Sequence, residues 1–251
     1  MDLNLHGKTA LITGGSHGIG LAIAVSLAKE GCNISFCSRE YRYSNIKARN
    51  KITEYGVKCE DIKADAAILW DTDMVIRRTL EVFGKIDILI NNVGGGSSWG
   101  NKSDWIMTTP ETWHNVFTQT FNSTVHFTNG VLPYMIENKF GRVVSISSIY
   151  GKENGGLPWF QAAKSAQISF MKSYSSNIDF VKNNITFNSV CPGFIDMLDK
   201  KLPESLEQII PMGRFGAPEE ISPIVTLLCS EKASYINGAC IVVDGGYTKS
   251  F

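Results

Sequence analysis

The sequence lacks both a long apolar run and an apolar leader. No stretch reaches the roughly 18 apolar residues that a membrane-spanning helix needs, and residues 1–7 contain no apolar segment typical of a signal peptide. These absences argue against a membrane protein and against secretion. We therefore expect a cytoplasmic protein with no membrane partner.

An excess of charge of one sign is also missing, since Lys+Arg and Asp+Glu both total 24. A nucleic-acid partner is not expected, because binding to phosphate backbones relies on a basic excess. The six cysteines form no Cys-x-x-Cys pair, and no histidine stands near them at metal-ligand spacing. We expect buried, reduced thiols and no metal site.

Low-complexity linkers, composition breaks and internal repeats are absent as well, which favours one domain over residues 1–251. Short apolar runs predict strands at 9–13, 33–38, 86–91, 142–147, 185–191 and 239–243, with a weaker seventh at 57–64. Helical patterns alternate with them at 18–30, 44–55, 71–83, 110–138, 158–182 and 218–230. This alternation predicts an α/β fold of the Rossmann type, a doubly wound, seven-stranded parallel sheet in a single domain.

A glycine-rich turn, residues 13–20 (Thr-Gly-Gly-Ser-His-Gly-Ile-Gly), follows the first predicted strand and opens the first helix. Small residues let the backbone turn sharply and approach a pyrophosphate closely. The free N–H groups of the helix N-terminus then attract the anionic phosphates. The turn therefore predicts a dinucleotide-binding site.

The spacing Thr-Gly-x-x-x-Gly-x-Gly resembles the cofactor turn of the short-chain dehydrogenase/reductase family. Four further segments resemble that family in the same order along the chain: Asn91–Gly94, Ser145–Ser148, Cys191–Gly193, and the stretch from Pro211 through Pro218–Glu220 to Gly246. Within the family, the pattern is similar to 3-oxoacyl-carrier-protein reductases and to sugar or alcohol dehydrogenases. The resemblance implies hydride transfer between a nicotinamide cofactor and a secondary alcohol or ketone.

The resemblance also implies which residues bind the cofactor. Asp65 is expected at the adenine edge, with a helix cap as the alternative reading, and Asn91 beneath the adenine ribose. Pro192, Gly193 and Ile195 are expected at the nicotinamide carboxamide. The other expected cofactor-binding residues are Gly14, Ser16, His17, Gly18, Ile19, Gly20, Ser38, Arg39, Ala66, Val93, Gly94 and Lys164.

The family's catalytic positions are matched by Ser148, by Asn122 for a water-linked proton path, and by Lys164, which is expected to bind the nicotinamide ribose. The position of the family's tyrosine, four residues before Lys164, holds Phe160. Phenylalanine has no hydroxyl and cannot exchange a proton, and loss of a general acid–base typically lowers a rate by about 10²–10⁴-fold.

Three accounts of Phe160 stay open. In the leading one, an engineered Tyr-to-Phe change traps a bound substrate in an impaired variant, since Asn122, Ser148 and Lys164 are intact. The second is a natural, non-catalytic dinucleotide-binding or regulatory protein. The third is an enzyme that recruits another hydroxyl, with Tyr150 as the nearest candidate. A dehydratase or epimerase is a weaker alternative that also needs the tyrosine.

NADP(H) is the expected cofactor, with NAD(H) possible, because the second predicted strand ends in Ser38-Arg39 without a carboxylate before Glu40. The long apolar sides of helices 110–138 and 158–182, together with the resemblance, predict a homotetramer. The substrate is expected to be a small carbonyl or alcohol that contacts the loop 94–109, with Trp99 and Trp105, and an amphipathic lid at about 194–210. Sugars, 3-oxoacyl groups, steroids and small ketones all remain open.

Overall fold

The computed structural model describes residues 2–40, 42–95, 108–197 and 208–250. They form a seven-stranded sheet in the order β3-β2-β1-β4-β5-β6-β7, in which every neighbouring pair is parallel. The strands are β1 (Thr9–Thr13), β2 (Asn33–Ser38), β3 (Cys59–Lys63), β4 (Ile88–Asn91), β5 (Gly141–Ile146), β6 (Ile185–Pro192) and β7 (Cys240–Val243). The predicted single-domain Rossmann-type sheet is confirmed, including the weaker strand at 57–64.

Helices connect the strands and cover both faces of the sheet. They are α1 (Gly18–Lys29), α2 (Tyr43–Thr53), α3 (Leu69–Phe83), α4 (Pro110–Phe117), α5 (Ser123–Glu137), α6 (Pro158–Tyr174), α7 (Ile178–Lys182) and α8 (Pro218–Leu228). No helix among the described residues is long and apolar enough to cross a membrane.

The alternation of side chains along each strand divides the core into two layers. Ile12 packs with Ile23 of α1 and Val225 of α8, whereas its neighbour Leu11 packs with Val75 of α3 and Phe127 of α5. Successive side chains of a strand point to opposite faces, so a strand covered by helices on both sides must be apolar throughout. This explains the nearly continuous apolar runs in the sequence.

The predictions of single continuous helices at 110–138 and 158–182 were wrong, because each of these regions is interrupted. The first contains a π-helical turn, Thr118–Asn122, between α4 and α5. The second ends at Tyr174, and a new helix starts where the side chain of Asn177 accepts from the backbone N–H groups of Asp179 and Phe180. The asparagine side chain readily accepts hydrogen bonds from backbone N–H groups. Asparagine is therefore favoured at the N-terminal cap of a helix and disfavoured in its interior.

Candidate active site

The carboxyl ends of the central strands meet at one edge of the sheet, where the strand order reverses between β1 and β4. Ligands of open parallel sheets bind at this place. A cleft of about 470 Å³ lies there, within the size range of small-molecule sites. Its lining includes most of the predicted residues: Gly14, Ser16, His17, Ile19, Gly20, Ser38, Arg39, Asp65, Ala66, Val93, Gly94, Ser148, Phe160, Lys164, Pro192, Gly193 and Ile195. Gly18, Asn91 and Asn122 are not among the lining residues.

The glycine turn is too tightly packed to accept side chains. A Cβ on Gly20 would lie 2.2 Å from the carbonyl oxygen of Gly14, and Gly14 and Gly18 have φ angles of +70° and +56°. The first turn of α1 carries no acidic residue, so its free N–H groups face the cleft without a competing carboxylate. A bare backbone cradle at a helix N-terminus fits the phosphates of a dinucleotide.

Asn92, which sequence analysis did not select, holds this cradle in place. Its side-chain Nδ2 donates to the carbonyl oxygens of Thr13 (2.9 Å) and Gly14 (3.1 Å), and its backbone N–H donates to Thr13 Oγ1. The predicted Asn91 is buried and instead donates to Thr128 Oγ1 of α5. Successive residues of a strand face opposite ways, so only one of the adjacent asparagines reaches the turn.

At the end of β2, the exposed guanidinium of Arg39 lines the cleft. Glu40 is paired with Arg42, and among the described residues no carboxylate pairs with Arg39. Ser38 Oγ accepts from Asn45 Nδ2 at 2.7 Å and donates to the Glu40 carbonyl oxygen at 3.2 Å. A second cavity, lined by Ser38, Arg39 and Arg42 among others, adjoins the cleft here. A cationic and hydroxyl surface of this kind suits a phosphate group.

Asp65 lines the cleft just beyond β3 and also supports the local turn. Its Oδ1 accepts from the backbone N–H of Ala67, while its own N–H donates to Asp71 Oδ2. Helix α3 is capped at Ile68, so the carboxylate stabilises the turn before the helix and does not cap the helix itself.

The other end of the cleft contains Ser148, Phe160 and Lys164. Ser148 Oγ accepts from the backbone N–H of Tyr150, which caps the short 3-10 turn Ile149–Gly151. The half-buried ring of Phe160 packs in an apolar cluster with Trp113 and Trp159, and its centroid is 5.8 Å from Lys164 Nζ. The neighbouring Ser147 is buried and donates to the Lys164 carbonyl, so it supports helix α6.

Lys164 is buried, and no carboxylate within the described ranges pairs with it. Its Nζ donates to the Ile146 carbonyl oxygen at 2.8 Å and to Gln167 Oε1 at 3.1 Å. Burial lowers the pKa of Lys164 to about 8, because both acceptors are neutral and only partly replace water. This ammonium is therefore close to losing its proton at slightly alkaline pH.

The predicted role of Asn122 is not supported by its position, since it does not line the cleft. The π-helical turn before α5 places Gln119 on the cleft instead, and Thr120 beneath it. Thr120 Oγ1 lies 3.3 Å from both the N and the O of Gly95, beside the lysine. An extra residue in one helical turn rotates the following side chains, which the sequence pattern does not reveal.

Tyr150, the candidate for a recruited hydroxyl, is not among the cleft-lining residues either. Its ring packs edge-on against Phe194 at 6.2 Å, and burial raises its pKa. The base of the predicted lid is held by backbone hydrogen bonds of Phe194 and Asp196 to Gly216. Lid residues 198–207 and the loop residues 96–107, with Trp99 and Trp105, lie outside the described residues.

Known proteins with the same organisation identify the family. The family model described as enoyl-(acyl carrier protein) reductase matches residues 14–248. The 3-oxoacyl-[acyl-carrier-protein] reductase of Aquifex aeolicus is 32% identical over 252 residues, which cover 98% of this chain and 99% of that protein. The structure of L-sorbose reductase from Gluconobacter frateurii, complexed with NADPH and L-sorbose, has a TM-score of 0.91 at 30% identity and full coverage of both chains.

A further similar structure is that of the NADH-dependent reductase A1-R′, with a TM-score of 0.89 at 28% identity, covering 98% of this chain and 99% of that one. These similarities extend over the whole sheet and over both ends of the cleft. The resemblance inferred from the five motifs is confirmed, and the chain belongs to the short-chain dehydrogenase/reductase family of oxidoreductases.

Proposed function

We propose that the protein binds a nicotinamide dinucleotide and has the scaffold of an oxidoreductase that interconverts a secondary alcohol and a ketone. The observation that carries the proposal is one continuous cleft with Gly14 at one end and Ser148 and Lys164 at the other. A bound nicotinamide supplies or accepts the hydride. The chain's own side chains bind and orient the reactants and handle the proton.

The cofactor is held along the cleft in the order of the strand ends. The N–H groups at the start of α1 take the pyrophosphate, and Asp65 and Ala66 border the adenine. Lys164 binds the hydroxyls of the nicotinamide ribose, while Pro192 and Gly193 border the carboxamide. Each of these groups lies on the same cleft, which supports the assignment.

The proton step is impaired in this chain. Ser148 Oγ can donate a hydrogen bond to the substrate oxygen as charge develops on it. Phe160 cannot supply the proton, and Tyr150 packs against Phe194, so we propose that turnover is slow or absent. A Tyr-to-Phe change at residue 160 remains our leading account, supported by the presence of Ser148 and Lys164 on the same cleft.

A non-catalytic dinucleotide-binding protein is the second candidate. The specific observation in its favour is that the Lys164 ammonium is already engaged by the Ile146 carbonyl and by Gln167. A lysine held in this way still binds ribose hydroxyls with its remaining N–H, and that function requires no proton donor at position 160.

We further propose a preference for NADP(H) over NAD(H). Arg39, which has no carboxylate partner among the described residues and lines both cavities at the end of β2, suits a 2′-phosphate. Titration of the protein with NADPH and NADH, followed by the fluorescence of the reduced nicotinamide, tests this proposal. Tighter binding of NADH would overturn the preference, and absence of binding for both would overturn the proposed function.

We also propose that the chain assembles as a homotetramer in the cytoplasm. Rings of Phe117, Phe121 and Phe170 follow one another along the outer side of α4, the π-helical turn and α6 and stay half-buried, and every residue of the edge strand β7 is also half-buried. All six cysteines are free thiols, which suits a reducing compartment. Light scattering that gave the 27.7 kDa monomer mass would contradict the assembly.

A further inference from the structure

Gln167 is a fully buried polar residue of α6, three residues beyond Lys164. Its Nε2 donates to the Thr120 carbonyl oxygen at 3.0 Å and to Thr124 Oγ1 at 2.7 Å. Its Oε1 accepts from Lys164 Nζ at 3.1 Å. Both amide hydrogens and the amide oxygen therefore have partners inside the protein.

The surroundings allow only one orientation of this amide. A carbonyl oxygen such as that of Thr120 can only accept, and an ammonium such as that of Lys164 can only donate. If the Gln167 amide were flipped, its oxygen would face the Thr120 carbonyl oxygen and its NH₂ group would face the Lys164 ammonium. Such buried mismatches are costly, so Thr120 determines which atom Gln167 presents to the lysine.

Thr120 is available for this role because it lies in the π-helical turn between α4 and α5. Its carbonyl oxygen also accepts from Thr124 Oγ1 at 3.0 Å. Its own hydroxyl contacts the backbone of Gly95, in the segment that follows β4. The π-helical turn thus connects the segment after β4, the amide on α6 and the lysine.

The lysine has three N–H donors, and two of them are assigned to the Ile146 carbonyl and to Gln167 Oε1. The Nζ lies against Gly94 on the cleft, where an added Cβ would be only 2.7 Å away. Burial is the main cause of the lowered pKa of Lys164. The remaining N–H is the one that a ligand in the cleft can use.

We propose that Gln167 is a positioning residue for Lys164: its amide oxygen, oriented by the Thr120 carbonyl, holds the ammonium so that the remaining N–H faces the cleft. The proposal rests on the proposed function, in which that N–H binds the vicinal hydroxyls of the nicotinamide ribose. It adds that the affinity for the cofactor depends on a residue outside the cleft lining.

Competitive labelling of the cofactor-free protein tests this position directly. Trace acetic anhydride is applied between pH 6 and pH 11, and acetylation of Lys164 is read by peptide mass spectrometry. We expect a midpoint near pH 8 for the unmodified chain. Gln167→Glu should move the midpoint upward by about one pH unit or more, because a carboxylate in contact favours the ammonium. Gln167→Leu should move it downward, because an acceptor is lost.

Ser169→Glu provides the control, since it adds a carboxylate on the same helix at an exposed site that is not at the i,i+3 or i,i+4 spacing from Lys164. Its midpoint should stay close to that of the unmodified protein. If Gln167→Leu unfolds the chain, Gln167→Met replaces it as the variant without an amide oxygen. Thermal melting of each variant shows whether it is folded. Midpoints for the Gln167 variants equal to that of Ser169→Glu would overturn the proposal.

A cofactor titration separates this inference from the proposed function. Gln167→Leu should weaken NADPH binding about tenfold, and the affinity of Gln167→Glu should persist to higher pH than that of the unmodified protein. If the unmodified chain binds neither NADPH nor NADH, the proposed function fails, while the labelling midpoints still decide whether Gln167 acts on Lys164.

Discussion

At the phosphate end of the cleft the backbone itself forms the wall, whereas at the lysine end buried polar side chains form it. The first end depends on missing side chains, since a Cβ on Gly20 would collide with the Gly14 carbonyl. The second depends on side chains that satisfy one another, namely Lys164, Gln167 and the backbone of Thr120. The glycine end therefore needs no side chain to form its phosphate cradle, while the lysine end lacks a proton donor at residue 160.

The largest expected effect concerns that missing donor. Phe160→Tyr should raise turnover by about 10²–10⁴-fold, because it adds a hydroxyl between Ser148 and Lys164. The rate would be measured with NADPH on a panel of 3-oxoacyl thioesters, ketoses and small cyclic ketones. Affinity for NADPH should change little, since the phosphate end is untouched.

Two outcomes would contradict this view of the lysine end. A tyrosine variant that binds NADPH and turns over no member of the panel would favour a binding protein. Activity of the unmodified chain that disappears in Tyr150→Phe would favour a recruited hydroxyl.

The next effect tests the glycine end. Gly20→Ala should weaken cofactor binding by about 10- to 100-fold, because the turn must open to accommodate the methyl group, an overpacking penalty of about 1 to 3 kcal/mol. Gly95→Ala is the control, since its Cβ would have no neighbour closer than 3.5 Å. Equal affinities for the two variants would show that the cradle is less constrained than its contacts indicate.

A smaller effect concerns the buried charge at the lysine end. The pKa of Lys164 is about 8 in the folded protein and near 10.4 in an unfolded chain. Between these values the unfolded state binds a proton that the folded state has released, so stability rises with pH. From pH 8 to pH 10, the free energy of unfolding should increase by roughly 1 to 2 kcal/mol more for the unmodified protein than for Lys164→Met.

Chemical denaturation at both pH values would measure the difference. Subtracting the Lys164→Met values removes the contribution of the cysteines, whose own pKa values are also shifted. Parallel stability profiles for the two proteins would mean that the lysine is better solvated than its burial indicates.

The smallest expected effect concerns cofactor choice at the phosphate end. Arg39→Ala should weaken NADPH binding about tenfold and leave NADH binding unchanged, since only NADPH carries the 2′-phosphate. Arg49→Ala, at an exposed guanidinium paired with Asp61, is the charge control. Equal losses for both cofactors in Arg39→Ala would assign the arginine to another role.

Sequence patterns predicted the sheet well, because strands that are buried on both faces are rich in consecutive apolar residues. Strands such as β1 and β4 are buried at every residue and are mostly apolar. The glycine turn was equally visible, because only glycine suits a positive φ and a backbone contact of this kind. The glycine turn could therefore be located from the sequence, and most of the residues expected at the cofactor line one cleft, while their roles stay predictions.

The errors fall where a local shift changes which side chain faces inward. The π-helical turn at 118–122 places Gln119, and not Asn122, on the cleft. At the end of β4, Asn91 is directed into the protein, whereas Asn92, the first residue after the strand, reaches the glycine turn. The sequence pattern alone does not show which of two neighbouring residues points its side chain into the site.

The amino-acid sequence by itself determined the alternation of strands and helices, the phosphate cradle and the absence of a hydroxyl at residue 160, because each follows from residue types at fixed spacing. Only the tertiary structure decided that Gln167 contacts Lys164 and that Thr120 orients Gln167. These partners come from separate helices, and their pairing depends on how the helices pack and on one π-helical turn. Hydrogen bonds between distant segments satisfy buried polar groups in three dimensions, and that requirement leaves no periodic trace in the chain.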